Sequence, residues 1–115
     1  MRLLFGGIMK VKFKGKTLDI KNESSKKSEF YANWNGYTIE VNKYDIHYFN
    51  NGNQKIKYEG YCVNPLGSCI CDCVTHNKIS EAVQDCFDNI ALDIDDLKST
   101  YDEIGEWLDK VKEWL

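Results

Sequence analysis

Arginine, proline, alanine and histidine are all scarce in this chain. A single arginine, Arg2, stands against 14 lysines, so no surface is built on the guanidinium fork that reads phosphates and base edges two contacts at a time. Only His47 and His76 are available as histidine bases, which leaves little room for cysteine nucleophile chemistry. No apolar run approaches the roughly 18 to 20 residues of a membrane span. Glycine-rich strand-to-helix turns are missing too: Gly6-Gly7 lacks the glycine and lysine that should follow in a phosphate-cradling loop. No βαβ alternation, internal repeat or low-complexity tract occurs, which excludes a doubly wound parallel sheet. One Pro and three Ala beside 10 Asn and 10 Ile fit an AT-rich bacterial genome or a phage of one.

What is present is a charge division near residue 71. Residues 1–71 carry 11 Lys plus Arg against 6 Asp plus Glu, and residues 72–115 carry 4 against 12. The balances of +5 and −8 are hidden inside a net charge of −3. A face of one sign steers partners over a Debye length of about 8 to 10 Å, so the division bears on partners without naming an activity.

At 115 residues the chain has the size of one domain with one core. Met1–Ile8 has too short an apolar stretch for an export signal, and the cytoplasm is the expected compartment, or the host cytoplasm for a phage protein. Gly6-Gly7 can be encoded by GGAGGU, a ribosome-binding sequence, just upstream of a methionine codon for Met9. Residues 1–8 are therefore expected to be a mis-assigned leader, with translation starting at Met9 and the domain running over 9–115. Intact mass from the native host tests that start.

Within 9–115 the front reads as strands over 10–75. Val11 and Phe13 alternate with lysines before Gly15, and Leu18 and Ile20 follow, giving a first hairpin. Asn22–Ser28 is a polar loop. Phe30–Trp34 and Tyr37–Val41 flank Asn35-Gly36, a strong hairpin signal because both residues tolerate positive φ. Tyr44–Phe49 and Lys55–Val63 flank Asn50-Asn51-Gly52-Asn53, and Ser68–Thr75 reads as a further strand after the Asn64–Gly67 turn. The back reads as two helices, over 77–92 and 94–115. In the first, capped by Asn77, Ile79, Val83, Cys86 and Ile90 share a face. In the second, capped by Asp93, Ile94, Leu97, Tyr101, Ile104, Leu108, Val111 and Leu115 form an a/d heptad seam. The expected fold is α+β: an antiparallel meander of about five to seven strands, with two C-terminal helices packed on one face.

Cysteine and histidine positions invite a metal or redox reading: Cys69, Cys71 and Cys73 alternate, with Cys62, Cys86 and His76 nearby. On a regular strand alternate residues stand about 6.6 Å apart, too far for three thiolates to converge on one zinc. No metal and no cofactor are therefore expected, and the thiols read as small half-buried hydrophobes. His76 before a helix start would favour a thiolate at Cys73, but no orienting residue or oxyanion element accompanies it. The odd cysteine count cannot be fully paired within one chain.

Two surfaces remain. Lys10, Lys12, Lys14 and Lys16 line one face of the first hairpin and, with exposed aromatics, would suit single-stranded nucleic acid. The negative net charge weighs against it. The acidic residues of the back half sort onto helical faces. Glu81, Asp85 and Asp88 stripe the first helix, and Asp102, Glu103, Glu106, Asp109 and Glu113 lie at b, c and f of the second, with Trp107 and Trp114 at g. The function expected is non-enzymatic protein binding, through an acidic helical face that suits a basic nucleic-acid enzyme, as in a phage or mobile-element inhibitor of a CRISPR effector. A homodimer through the C-terminal helix is the other expected use of the seam. Nucleic-acid binding on the lysine sheet and a cysteine-based metal or redox role are the two alternatives.

Overall fold

The computed structural model describes residues 7–24, 28–47, 54–72 and 74–114, with side chains omitted at 44–47, 54–55 and 113. Residues 1–6, part of the Asn22–Ser28 loop, the Asn50–Asn53 loop, Cys73 and Leu115 lie outside the described residues. In chain order the elements are β1 (Ile8–Phe13), β2 (Lys16–Lys21), β3 (Phe30–Trp34), β4 (Tyr37–His47), β5 (Gln54–Val63), β6 (Thr75–His76) and α1 (Ile79–Val111), which ends in a short 3-10 turn over Lys112–Trp114. The fold is α+β with antiparallel sheets and a C-terminal helix.

Turn chemistry fixes the two tight hairpins. Lys14 and Gly15 have φ of 49° and 80°, and Asn35 and Gly36 have 49° and 85°. Both pairs therefore sit in the left-handed region that matches the twist of flanking strands. Phe13 pairs with Lys16, and Trp34 with Tyr37, across these turns. Gly36 is required for space as well, since a Cβ there would stand 3.1 Å from Pro65 Cγ.

The strands form two sheets rather than one meander: the β1-β2 hairpin stands apart from a sheet of order β3-β4-β5-β6. A buried asparagine explains the separation. The Asn22 backbone N–H donates to Gly7 O at 2.6 Å, while its Oδ1 accepts from Ser24 N at 2.9 Å and Tyr31 N at 3.1 Å. Its Nδ2 donates to Glu29 O at 3.2 Å. The side chain thus supplies partners that a continuing ladder would have supplied, and the chain swings away from β2 before β3 begins.

The expected strand over Ser68–Thr75 is also corrected. Asn64 Oδ1 accepts from Leu66 N at 3.0 Å and Ser68 N at 2.9 Å, folding the chain on itself. After that turn, among the described residues only an isolated bridge, Val63 to Cys69, and the two-residue β6 remain in sheet pairing. Upstream, the residues from Tyr37 to His47 form one strand with no break at Asn42-Lys43.

The two expected helices are one, of 33 residues. No Gly or Pro interrupts Ile90–Ile94, and Asp93 turns its carboxylate to Tyr37 and Asn64 instead of capping. The N-cap is Lys78, with extended φ and ψ and no side-chain cap; Asn77 Oδ1 is taken by Lys57 Nζ.

The core gathers Met9, Val11 and Ile20 from the hairpin, Phe30, Ala32, Tyr37, Ile39, Val41 and Cys62 from the sheet, and Ile79, Ala82, Val83, Cys86, Phe87 and Ile90 from α1. Phe13, Trp34 and Phe87 meet edge-to-face, with centroids 5.1 to 6.2 Å apart, at the junction of hairpin, sheet and helix. Helix and sheet approach closely at Gly60, where a Cβ would stand 2.8 Å from Cys86 Sγ and 3.0 Å from Ala82 O.

Candidate interaction surface

Length decides what α1 can bury. Thirty-three residues at 1.5 Å each make a rod of about 50 Å, whereas four strands spaced at about 4.8 Å cover far less. The fold is accordingly elongated, 68 × 33 × 26 Å. The buried helical residues end at Ile90, and Ile94 is the last hydrophobic of α1 that packs against the core. Beyond it the a/d seam continues with little to cover it. Tyr101 is 76% exposed, Ile104 51% and Leu108 39%. At g, Trp107 is 57% and Trp114 81% exposed. Two tryptophans and a strip of apolar side chains thus stand in solvent on one protruding half-helix.

Carboxylates surround this strip. Asp102, Glu103, Glu106 and Asp109 are exposed, and Glu113 lies on the 3-10 turn. Because the two expected helices are a single rod, the acids run end to end along it. They do not lie side by side. Toward the N-terminus the stripe is partly engaged. Glu81 is exposed, Asp88 accepts from Gln84 Nε2 at 2.9 Å, and Asp85 Oδ2 lies 3.1 Å from His76 Nε2. Burial holds the Asp85 carboxyl above the usual carboxylate range, against the pull of His76.

The lysine surface meets the acidic helix directly. Lys14 Nζ is 2.6 Å from Asp95 Oδ1 of α1, while within the hairpin Lys10 Nζ is 2.8 Å from Asp19 Oδ1 of β2. Lys12 and Lys16 are exposed. The Lys12 backbone N–H donates to Gln84 Oε1 at 2.9 Å, and its carbonyl accepts from Gln84 Nε2 at 2.7 Å. The opposite charges counted along the sequence therefore touch where hairpin and helix meet.

Cysteines divide by environment. Cys62 and Cys86 are buried, and burial pushes the Cys62 thiol up to about 12 and raises Cys86 as well. Cys69 and Cys71, off any regular strand, bring their Sγ atoms within 3.2 Å at the surface. Cys73, the third of the run, lies outside the described residues, and of His47 only the backbone is described. Among the described residues no group of three or more His, Cys, Asp or Glu converges as a metal site, and no helix is long and apolar enough to cross a membrane.

Two features escaped the sequence reading. One is the polar hub in which Asp93 joins Tyr37 and Asn64 across three elements. The other is the contact between Cys69 and Cys71, hidden because alternation suggested a strand; the asparagine-proline pair ahead of it was the available signal. Comparison with protein-family models, with curated proteins and with solved structures finds no match to the chain.

Proposed function

We propose that this chain is a small non-enzymatic protein-binding domain whose basic partner docks along the protruding half of α1. The observation that carries the reading is the exposed seam of Tyr101, Ile104 and Leu108 beside Trp107 and Trp114, set among Asp102, Glu103, Glu106 and Asp109. Tryptophan supplies large contact area for little entropy and is enriched at binding hot spots. The surrounding carboxylates select a positively charged partner and speed its approach. A groove built for nucleic-acid phosphates offers that charge. The specific form of the proposal is a phage or mobile-element protein that inhibits a host nucleic-acid enzyme such as a CRISPR effector.

Titration into cleavage assays of purified RNA-guided nucleases and other nucleic-acid enzymes tests this. The expected result is inhibition that weakens as salt rises from about 0.05 to about 0.5 M and that is relieved by Asp102→Lys with Glu106→Lys. Unchanged cleavage across the panel removes the inhibitor. Inhibition that survives both charge reversal and loss of the two tryptophans removes this surface. The rival, single-stranded nucleic acid on Lys10, Lys12, Lys14 and Lys16, has less support, because Lys10 and Lys14 are held by Asp19 and Asp95.

A further inference from the structure

The segment that leaves β5 is shaped by side-chain hydrogen bonds, and its shape brings two thiols together. Asn64 closes the turn, Val63 bridges to Cys69, and the Ile70 N–H donates to Cys62 O at 2.9 Å. Ile70 packs against the core. The cysteines on either side of it meet at the surface with their Sγ atoms 3.2 Å apart. Tyr61, itself 44% exposed, helps to hold the Cys69 thiol below its ordinary value. A dithiol in contact and accessible to small molecules has the parts that thiol–disulfide exchange requires.

We propose that Cys69 and Cys71 form a reversible redox site whose oxidant is a low-molecular-weight disulfide of the glutathione class. The Cys69 thiolate attacks one sulfur of the disulfide RSSR. A bond forms between Cys69 Sγ and that sulfur, the RS–SR bond breaks, and one RS⁻ leaves. Cys71, as its thiolate, then attacks Cys69 Sγ. The mixed disulfide breaks, a second RS⁻ leaves, and the Cys69–Cys71 bond closes. The two thiol protons end on the two released thiolates, and the two electrons given up by the cysteine sulfurs reduce RSSR to two RSH.

The order of attack follows from the surroundings. Hydrogen bonds from the Cys71 backbone and thiol, and then from Tyr61, hold the Cys69 thiol below its ordinary value, whereas burial raises Cys62 and Cys86. Among the described cysteines, Cys69 and Cys71 are the accessible pair, and Cys69 is the one poised to attack. The site is independent of the helical surface, so neither proposal depends on the other.

The test is incubation of the reduced, full chain in oxidised and reduced glutathione near neutral pH. Thiols are then blocked by alkylation, intact mass is recorded, and circular dichroism follows the fold. The expected product carries no glutathione and two alkyl groups fewer than the reduced control, reverts with dithiothreitol, and forms equally in Cys73→Ser. Cys71→Ser is expected to stop at one glutathione adduct on Cys69. A disulfide that forms only when Cys73 is present overturns the proposal. So does a wild-type Cys69 adduct that never closes, or a chain that stays fully reduced in oxidised glutathione.

Discussion

Tyr37 donates its phenolic hydrogen to Asp93 Oδ2 at 2.7 Å, joining the first residue of β4 to the middle of α1 across 56 positions of sequence. Asn64 Nδ2 lies 3.3 Å from the same oxygen, so the hub ties sheet, turn and helix at the point where the helix leaves the body. Removing the carboxylate strands two donors. Asp93→Ala is expected to cost about 2 to 3 kcal/mol and Tyr37→Phe about 1 to 2 kcal/mol, read as shifts in urea unfolding at unchanged slope. A cost near zero for Asp93→Ala would refute the hub.

Alkaline pH should destabilise the fold in two stages. Cys62 and Cys86 start from an ordinary value of 9.0 and Tyr37 from 10.0, and burial raises all three, with the Asp93 hydrogen bond adding to Tyr37. A raised folded value means that the folded state keeps protons the unfolded chain releases. Stability is therefore fully present below about pH 9 and falls as pH rises above it. Urea midpoints measured with reductant from neutral to strongly alkaline pH check this, and Tyr37→Phe should flatten the decline above about pH 10.

The contact at Gly60 leaves no room for a methyl group. Gly60→Ala is expected to cost about 1 to 3 kcal/mol by overpacking, because Cys86 Sγ and Ala82 O stand 2.8 and 3.0 Å from the new carbon. Cys86→Ala in the same chain should recover part of that loss, and a double-mutant cycle measures the coupling. Purely additive effects would place the strain elsewhere.

Protection of the helix should be uneven. Amides over 82–94, whose apolar face is buried, are expected to exchange only with global unfolding, while those over 98–111 exchange by local fraying. Hydrogen-exchange mass spectrometry at two protein concentrations reads the difference. Uniform protection that grows with concentration would instead mean that a second copy covers the seam.

Trp107→Ala and Trp114→Ala should leave stability within about 0.5 kcal/mol, since both rings are largely exposed. The same changes should abolish inhibition in the cleavage assays. Loss of folding with either substitution would assign the tryptophans to packing.

The parts of the fold that were legible depend on near neighbours in sequence. Asn35-Gly36 and the Lys14-Gly15 turn impose their backbone signs locally, and the spacing of Ile79, Val83, Cys86 and Ile90 defines a helical face without outside help. The exposure of Asp102, Glu103, Glu106 and Asp109 was legible for the same reason. Asp93 was not, because a carboxylate that caps a helix and one that serves a distant tyrosine look alike in sequence. Asn22 and Asn64 each stop a strand with a side chain whose partners are set by tertiary structure. The engagement of Asp85 by His76 and of Asp95 by Lys14 is equally nonlocal, so an acidic stripe counted from spacing overstates the charge left free.

Gln84 bears on how copies of this protein behave at high concentration. An unpaired strand edge is a template for other chains to extend, and growth by such extension is how soluble proteins become insoluble. By filling both backbone positions of Lys12 with one amide, Gln84 closes the open edge of β1 at its centre. Gln84→Ala would unmask it, and the first symptom would be turbidity and thioflavin binding on storage, before any loss of secondary structure.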